Sequence, residues 1–219
     1  MKKGKIDWLN HGLEFFVVLI GILIAFQLNK FSESNVEQKL LRSHKESIKL
    51  ECIANADILE SAIVHVDMQI KYCDSLLAEI VRRDQIKSIR SYSTRLLDMR
   101  NVELKRNAYQ VLTQSGDIRY MEDYEQKRSI ISMYDGFNRI NRINQSNQKL
   151  YDNHFYPYLK SNFDLVNWRY IDINSKADEE KYYAKEYGNT ISTYKYLLSA
   201  KLDVYKEEYE VIQRYIEEG

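Results

Sequence analysis

Twelve consecutive positions, Phe15 to Phe26 (FFVVLIGILIAF), are apolar, and only Gly21 and Ala25 among them are small. Such a run has no polar face. It cannot lie on a protein surface as an amphipathic helix does, because every side would hold hydrocarbon against water. Three environments remain: the core of a soluble bundle, the apolar stretch of a secretory signal, or lipid. Lys2, Lys3 and Lys5 suit a signal, but the residues after Phe26 are Gln27, Leu28, Asn29, Lys30 and Phe31, with no close small-x-small cleavage site. The membrane reading takes Leu9 to Leu28 as the span, about 20 residues and about 30 Å of helix. Its Leu, Ile, Val and Phe residues from Phe15 onward sum to about −5 kcal/mol of insertion free energy, enough to carry Glu14 and Gln27 near the two interfaces. The membrane reading is adopted, with the other two left standing as alternatives.

The remainder has no second segment of this kind, so everything beyond about residue 32 is expected on one side of the bilayer. Lysines crowd the N-terminal tail, yet Lys30, Lys39, Arg42 and Lys45 follow the span. The positive-inside rule therefore leans only slightly to a cytoplasmic N-terminus, with the bulk of the chain in a periplasm outside an inner membrane. Within the span, Glu14 sits at headgroup level, where a water-exposed acid outweighs a proton or ion site. Gly21 and Ala25 form a small-xxx-small pair that suits close helix packing and self-association.

Beyond the anchor, the pattern is that of an all-α chain. One proline and seven glycines in 219 residues leave few breakers. Leu41, Ile48, Cys52, Ala56, Leu59, Ile63, Val66, Ile70, Cys73, Leu77 and Ile80 recur at helical steps, marking one face of a helix about 40 residues long that no breaker separates from the anchor. Cys52 and Cys73 lie on that stripe about 30 Å apart, read as buried small residues that cannot pair. Arg82 to Arg106 is basic and less periodic, read as a solvated surface or connection. Tyr109, Val111 and Leu112 mark a short helix ended by Ser115 and Gly116, with Asp117 placed to cap the next turn. A long helix then carries Tyr124, Ile130, Met133, Tyr134, Phe137, Ile140, Ile143 and Leu150, with Asn141 and Asn144 near its apolar face and Pro157 to kink or end it. Between Asn162 and Tyr187 the pattern weakens, and Trp168, Tyr170, Ile171 and Ile173 suit a short extended piece. A last helix is expected from Thr190, with Ile191, Tyr194, Leu198, Leu202, Tyr205, Tyr209, Ile212 and Ile216 inward. The predicted architecture is an N-terminal transmembrane helix running into a long helix, packed in an elongated antiparallel bundle. The boundaries are 1–32 for tail and anchor and 33–219 for the bundle.

The opening GLEFFVVLIGILIAFQLNKFSE resembles the membrane segment of an uncharacterised family of small single-pass, membrane-anchored helical proteins common in Bacteroidetes. Glu14, Gly21, Ile22, Ala25, Gln27 and Asn29 match that pattern, while Lys30 and Phe31 stand where the family has Asn-Trp. The stretch AYQVLTQSGDIRYMEDYEQKRSIISMY is similar to the family's second signature, an aromatic-x-x-Leu-x-x-Ser-Gly turn before a helix. It falls here on Ser115, Gly116 and Asp117. The resemblance implies a membrane-anchored helical domain and supplies no catalytic residue.

Chemistry is sparse. Basic and acidic residues balance at 32 each, which argues against nucleic acid as a partner. His11, His44, His65 and His154 are scattered without ligand spacing, and no phosphate loop, nucleophile elbow or dinucleotide fingerprint occurs. Acid pairs lie in solvated charged runs rather than dry pockets. No enzymatic activity, cofactor or metal is expected. Expected partners are the lipid bilayer and either a protein or a second copy. The leading expectation is an anchored interaction or scaffold protein. The alternatives are a ligand-sensing bundle and a membrane-active oligomer, such as a pore or defence effector, with Glu14 and Gln27 lining its axis.

Overall fold

The computed structural model describes residues 8–163, 165 and 180–218, with side chains from residue 12 onward. Every regular element among the described residues is helical. The order is α1 (Trp8–Arg82), α2 (Ile86–Arg95), α3 (Asn107–Gln114), a 3₁₀ turn (Asp117–Tyr120), α4 (Tyr124–Leu150), a π-helical turn (Tyr151–Phe155), α5 (Tyr156–Asn162) and α6 (Lys185–Glu218). Trp168, Tyr170, Ile171 and Ile173, expected as an extended piece, lie outside the described residues.

α1 is 75 residues long and unbroken, so the apolar run and the heptad-like stripe belong to one rod of about 110 Å. The absence of Gly or Pro between residues 22 and 82 leaves no point at which the ladder of backbone bonds would favour stopping. Its stripe buries Ile48, Cys52, Ala56, Leu59, Val66, Cys73 and Ile80 as expected; Leu76 takes the fully buried place assigned to Leu77.

α6 runs antiparallel to α1. Lys195 meets Asp74 at one end of the contact, and Tyr215 lies by Cys52 at the other. α4 is likewise antiparallel to α6. Arg139 pairs with Glu207 and Glu208, Asn144 accepts from Tyr205 at 2.6 Å, and Asn147 donates to the Leu197 carbonyl. α6 begins at Lys185, five residues before the sequence-based start, and Tyr187 and Tyr215 join its buried face. Three long helices therefore share one core. Tyrosines fill much of it: Tyr134, Tyr187, Tyr194 and Tyr205 are fully buried. Hydroxyl partners soften the cost for three of them, with Tyr134 donating to Glu51 and Tyr205 to Asn144, while Tyr187 shares a hydrogen bond with Ser93.

Pro157 has no N–H to offer, and its ring crowds the carbonyl four residues back. The chain answers with one wide turn. Tyr151–Phe155 is π-helical, and the Tyr156 N–H reaches back to the Tyr151 carbonyl. The helical path thus continues into α5 rather than ending.

The fourth side of the bundle is not a long helix. From Arg95, the last residue of α2, to Arg106 before α3, the chain crosses the body as an irregular strap, and polar side chains of the surrounding helices, most of them buried, hold its peptide groups. From α1, Gln69 donates to the Arg95 carbonyl, His65 to Asp98, and Asn55 both donates to the Lys105 carbonyl and accepts from its N–H. From the other helices, Tyr151 donates to the Leu97 carbonyl, Asn144 to Val102, and Lys201 to the Arg100 carbonyl and the Asn101 side chain. Backbone groups without secondary-structure partners must find others when buried, and here side-chain amides substitute for a neighbouring strand. This arrangement revises two expectations. The Arg82–Arg106 segment is a connection, one of its two expected forms, running from α1 through α2 to α3, but it is not uniformly solvated, since Arg90 is buried and Arg106 bonds Asn138 and the Tyr134 carbonyl. In α4, Asn141 is exposed, whereas Asn144 and Asn147 face inward, because the true core line is set by Ile130, Met133, Phe137 and Ile140.

Candidate membrane interface

Every described side chain from Gly12 to Val36 is exposed. Phe15, Ile22 and Phe26 each show more than 60% of their surface, and no described segment covers any of the apolar window. This is the one helix among the described residues long and apolar enough to cross a membrane. Burying such surface is worth about 25 cal/mol per Å², so a naked apolar rod in water is strongly disfavoured.

Glu14, Gly21, Ala25 and Gln27 all lie on this exposed rod, and no atom beyond the helix's own backbone approaches the Cβ direction of Gly21. Gly21, Ala25 and Gln27 lie on the exposed stretch that precedes the body. Beyond Leu28 the helix stands free for about eight residues, close to 12 Å, before the body begins. Asn29 donates to Glu33 along this stem.

Where the body meets α1, the turn at Ser115, Gly116 and Asp117 forms a collar. Ser115 ends α3, and Gly116 takes φ +79°, the left-handed conformation that favours glycine. The expectation that Asp117 caps the next turn is corrected. Its carboxylate instead meets His44 Nε2 of α1 at 2.9 Å, while Asp123 is the residue that caps α4, accepting from the Gln126 N–H. Hydrogen bonds from Ser115 and His44 hold the Asp117 carboxyl below its usual range. The pair pins the turn to α1 near the point where α1 leaves the body. Beside it opens a groove of about 470 Å³ between α1 and the segment from Arg119 to Asp123. Arg42, Lys45 and Arg119 face Glu37, Glu122 and Asp123 around it, with Leu41 and Met121 at the floor. Arg119 lies over the Tyr120 ring and donates to its hydroxyl at 2.7 Å.

No family model, curated protein or solved structure matches this chain.

The charges around the collar are of both signs, and among the described residues no three His, Cys, Asp or Glu side chains gather as metal ligands would. The two thiols are deep in the core, where burial pushes both up to about 12 and leaves them protonated. The His44–Asp117 pair escaped the sequence reading because 73 residues separate its members, and no local signal links them.

Proposed function

We propose that the chain is a single-pass membrane protein whose helical body works by docking a protein partner, without catalysis of its own. The observation that carries this reading is the uncovered apolar helix, which needs a solvent the chain itself does not provide. Lipid supplies one, and the stem and collar then sit just outside the headgroups. The lysine-rich tail favours an N-terminus inside the cytoplasm and a body in the periplasm. The groove beside the collar presents both signs of charge at the height where another anchored protein would emerge, which suits a polar protein surface.

The competing picture, a pore lined by Glu14 and Gln27, conflicts with the helix geometry. α1 is continuous through both, and thirteen residues leave them about 140° apart around its axis. They cannot face one channel together.

The test is a double substitution, Ile20→Arg with Leu23→Arg. Two arginines at mid-span add about 5–7 kcal/mol, which cancels the insertion gain. The unaltered chain should stay with membranes through an alkaline carbonate wash, and the double variant should not. A reporter fused after Gly219 should read out on the periplasmic side. Release of the unaltered, full-length chain by carbonate refutes the anchor, and a cytoplasmic reporter signal refutes the orientation.

A further inference from the structure

α1 has a second organised face. Opposite the core stripe, positions stepping by four and three residues from Val36 to Met68 carry Val36, Leu40, Leu50, Ala54, Val64 and Met68. Ser43, Ser47 and Ser61 fill the steps between, and the line holds a single charge, Asp57. The chain as a whole is 29% charged, so an ordinary solvated line of ten positions would carry about three charges or more. Val36, Leu50 and Val64 are each more than half exposed, and every position of the line except half-buried Ala54 is exposed. Leu50 lies two residues from buried Cys52, a turn of about 200°, which places this face away from the bundle.

We infer that this face is a seam between two copies of the chain, paired in parallel through α1. The inference rests on the membrane reading above in one respect: a common anchor sets two copies side by side, pointing the same way and at the same height. Under that constraint each position meets its own counterpart across a two-fold axis. Leu, Val, Met, Ala and Ser tolerate self-pairing, whereas a different partner would be matched by complementary charges that this line lacks. The four-three spacing is the one that two helices crossing at a shallow left-handed angle present to each other.

The area argues for the membrane's part in the pairing. Exposed Val36, Leu40, Leu50, Val64 and Met68, with the small residues between them, form a single narrow line on one helix, less than the roughly 800 Å² per partner of a free-standing interface. Confinement by the anchor raises the effective concentration and makes up the difference without new contacts. Asp57 is the one discordant residue, since a parallel pair sets its carboxylate against its twin.

Site-directed cross-linking of the full-length chain in native membranes tests this. Cys52 and Cys73 are buried, so the unaltered chain is the silent background. Ser47→Cys and Ser61→Cys, on the seam, should form disulfide-linked homodimers under mild oxidation at least tenfold more than Asp203→Cys, an exposed position on α6. Adding Asp57→Ala to Ser61→Cys should raise the yield, and adding Leu50→Lys with Val64→Lys should drop it to the α6 level with helical content unchanged. Seam cysteines that cross-link no better than Asp203→Cys, or that join a different protein instead, overturn the pairing. Each sample is also scored for membrane residence. A chain found in the membrane without seam cross-links refutes the pairing alone, and a chain found in the soluble fraction removes the anchor and the pairing with it.

Discussion

Asn55 offers the sharpest test of the strap. Its side chain is wholly buried in α1, donating to the Lys105 carbonyl at 2.9 Å and accepting from the Lys105 N–H at 2.8 Å. Asn55→Ala removes both partners at once. A buried peptide group left without a partner costs about 1–3 kcal/mol, and the exposed Lys105 side chain gives water some access to the site, so the pair should cost about 2–4 kcal/mol together. For a chain of this size that is a fall of about 5–15 °C in the unfolding midpoint. Thermal unfolding of the full chain in detergent, followed by far-UV circular dichroism, reads the loss. Amide hydrogen exchange reads its location, because Lys105 should lose protection well before the α6 core does. Asn55→Asp sharpens the argument: its carboxylate keeps the acceptor but repels the Lys105 carbonyl, so its deficit should shrink in acid, where the protonated form can donate again. A loss below about 0.5 kcal/mol with unchanged Lys105 exchange would refute the claim that side-chain amides hold the strap in place.

Three further outcomes are expected. A Cβ built on Gly136 falls within the Glu208 carboxylate, which Arg139 holds at 2.8 Å; Gly136→Ala should therefore destabilise by about 1–2 kcal/mol despite its better helix propensity, and should become stabilising once Glu208→Ala clears the space, as a double-mutant cycle by denaturant unfolding will show. Burial draws the Lys201 amine down to about 8 from its ordinary value near 10.5, so between those values the unfolded chain binds the extra proton and stability should rise with pH. The stability of the unaltered chain relative to Lys201→Met should accordingly climb from about pH 8 to about pH 10 in matched thermal melts, and a flat difference refutes the assignment. Finally, Cys52 and Cys73, both buried and pushed up to about 12, should resist a water-soluble disulfide reagent in the native chain and react fully after unfolding; fast labelling of either thiol in the native state would show that the core opens there.

Periodicity carried the helices well because it is a local property. Ile48, Cys52, Leu59 and Val66 announce an inward face by their spacing, and Ile191, Tyr194, Leu198 and Leu202 do the same for α6. Gly116 was equally legible, since a Ser-Gly pair after a short apolar run marks a left-handed helix end and needs no knowledge of the rest of the fold. Asp117 was misread for the complementary reason. Its local options included a cap, but His44 lies 73 residues away and offers a stronger, charge-assisted partner. The same holds for Asn141 and Asn144: a three-residue repeat brings both near one face, and only packing against α6 and the strap decides that Asn144 and Asn147 turn inward.

The amino-acid order alone dictates an all-α chain with a long first helix, because breakers are scarce and apolar residues recur at the helical step. It also marks Phe15–Phe26 as a segment with no polar side. Whether that segment is wrapped by its own protein depends on contacts between residues far apart in the chain, and only the folded molecule answers: α6, α2 and α3, with Met133 and Tyr134 of α4, cover α1 from about His44 onward, and no described segment covers the apolar end. The strap is tertiary in the same sense. Asn55, Gln69 and Lys201 look like solvated polar positions along a helix, and they become core residues because an irregular backbone crossing the bundle needs donors and acceptors that no regular element supplies.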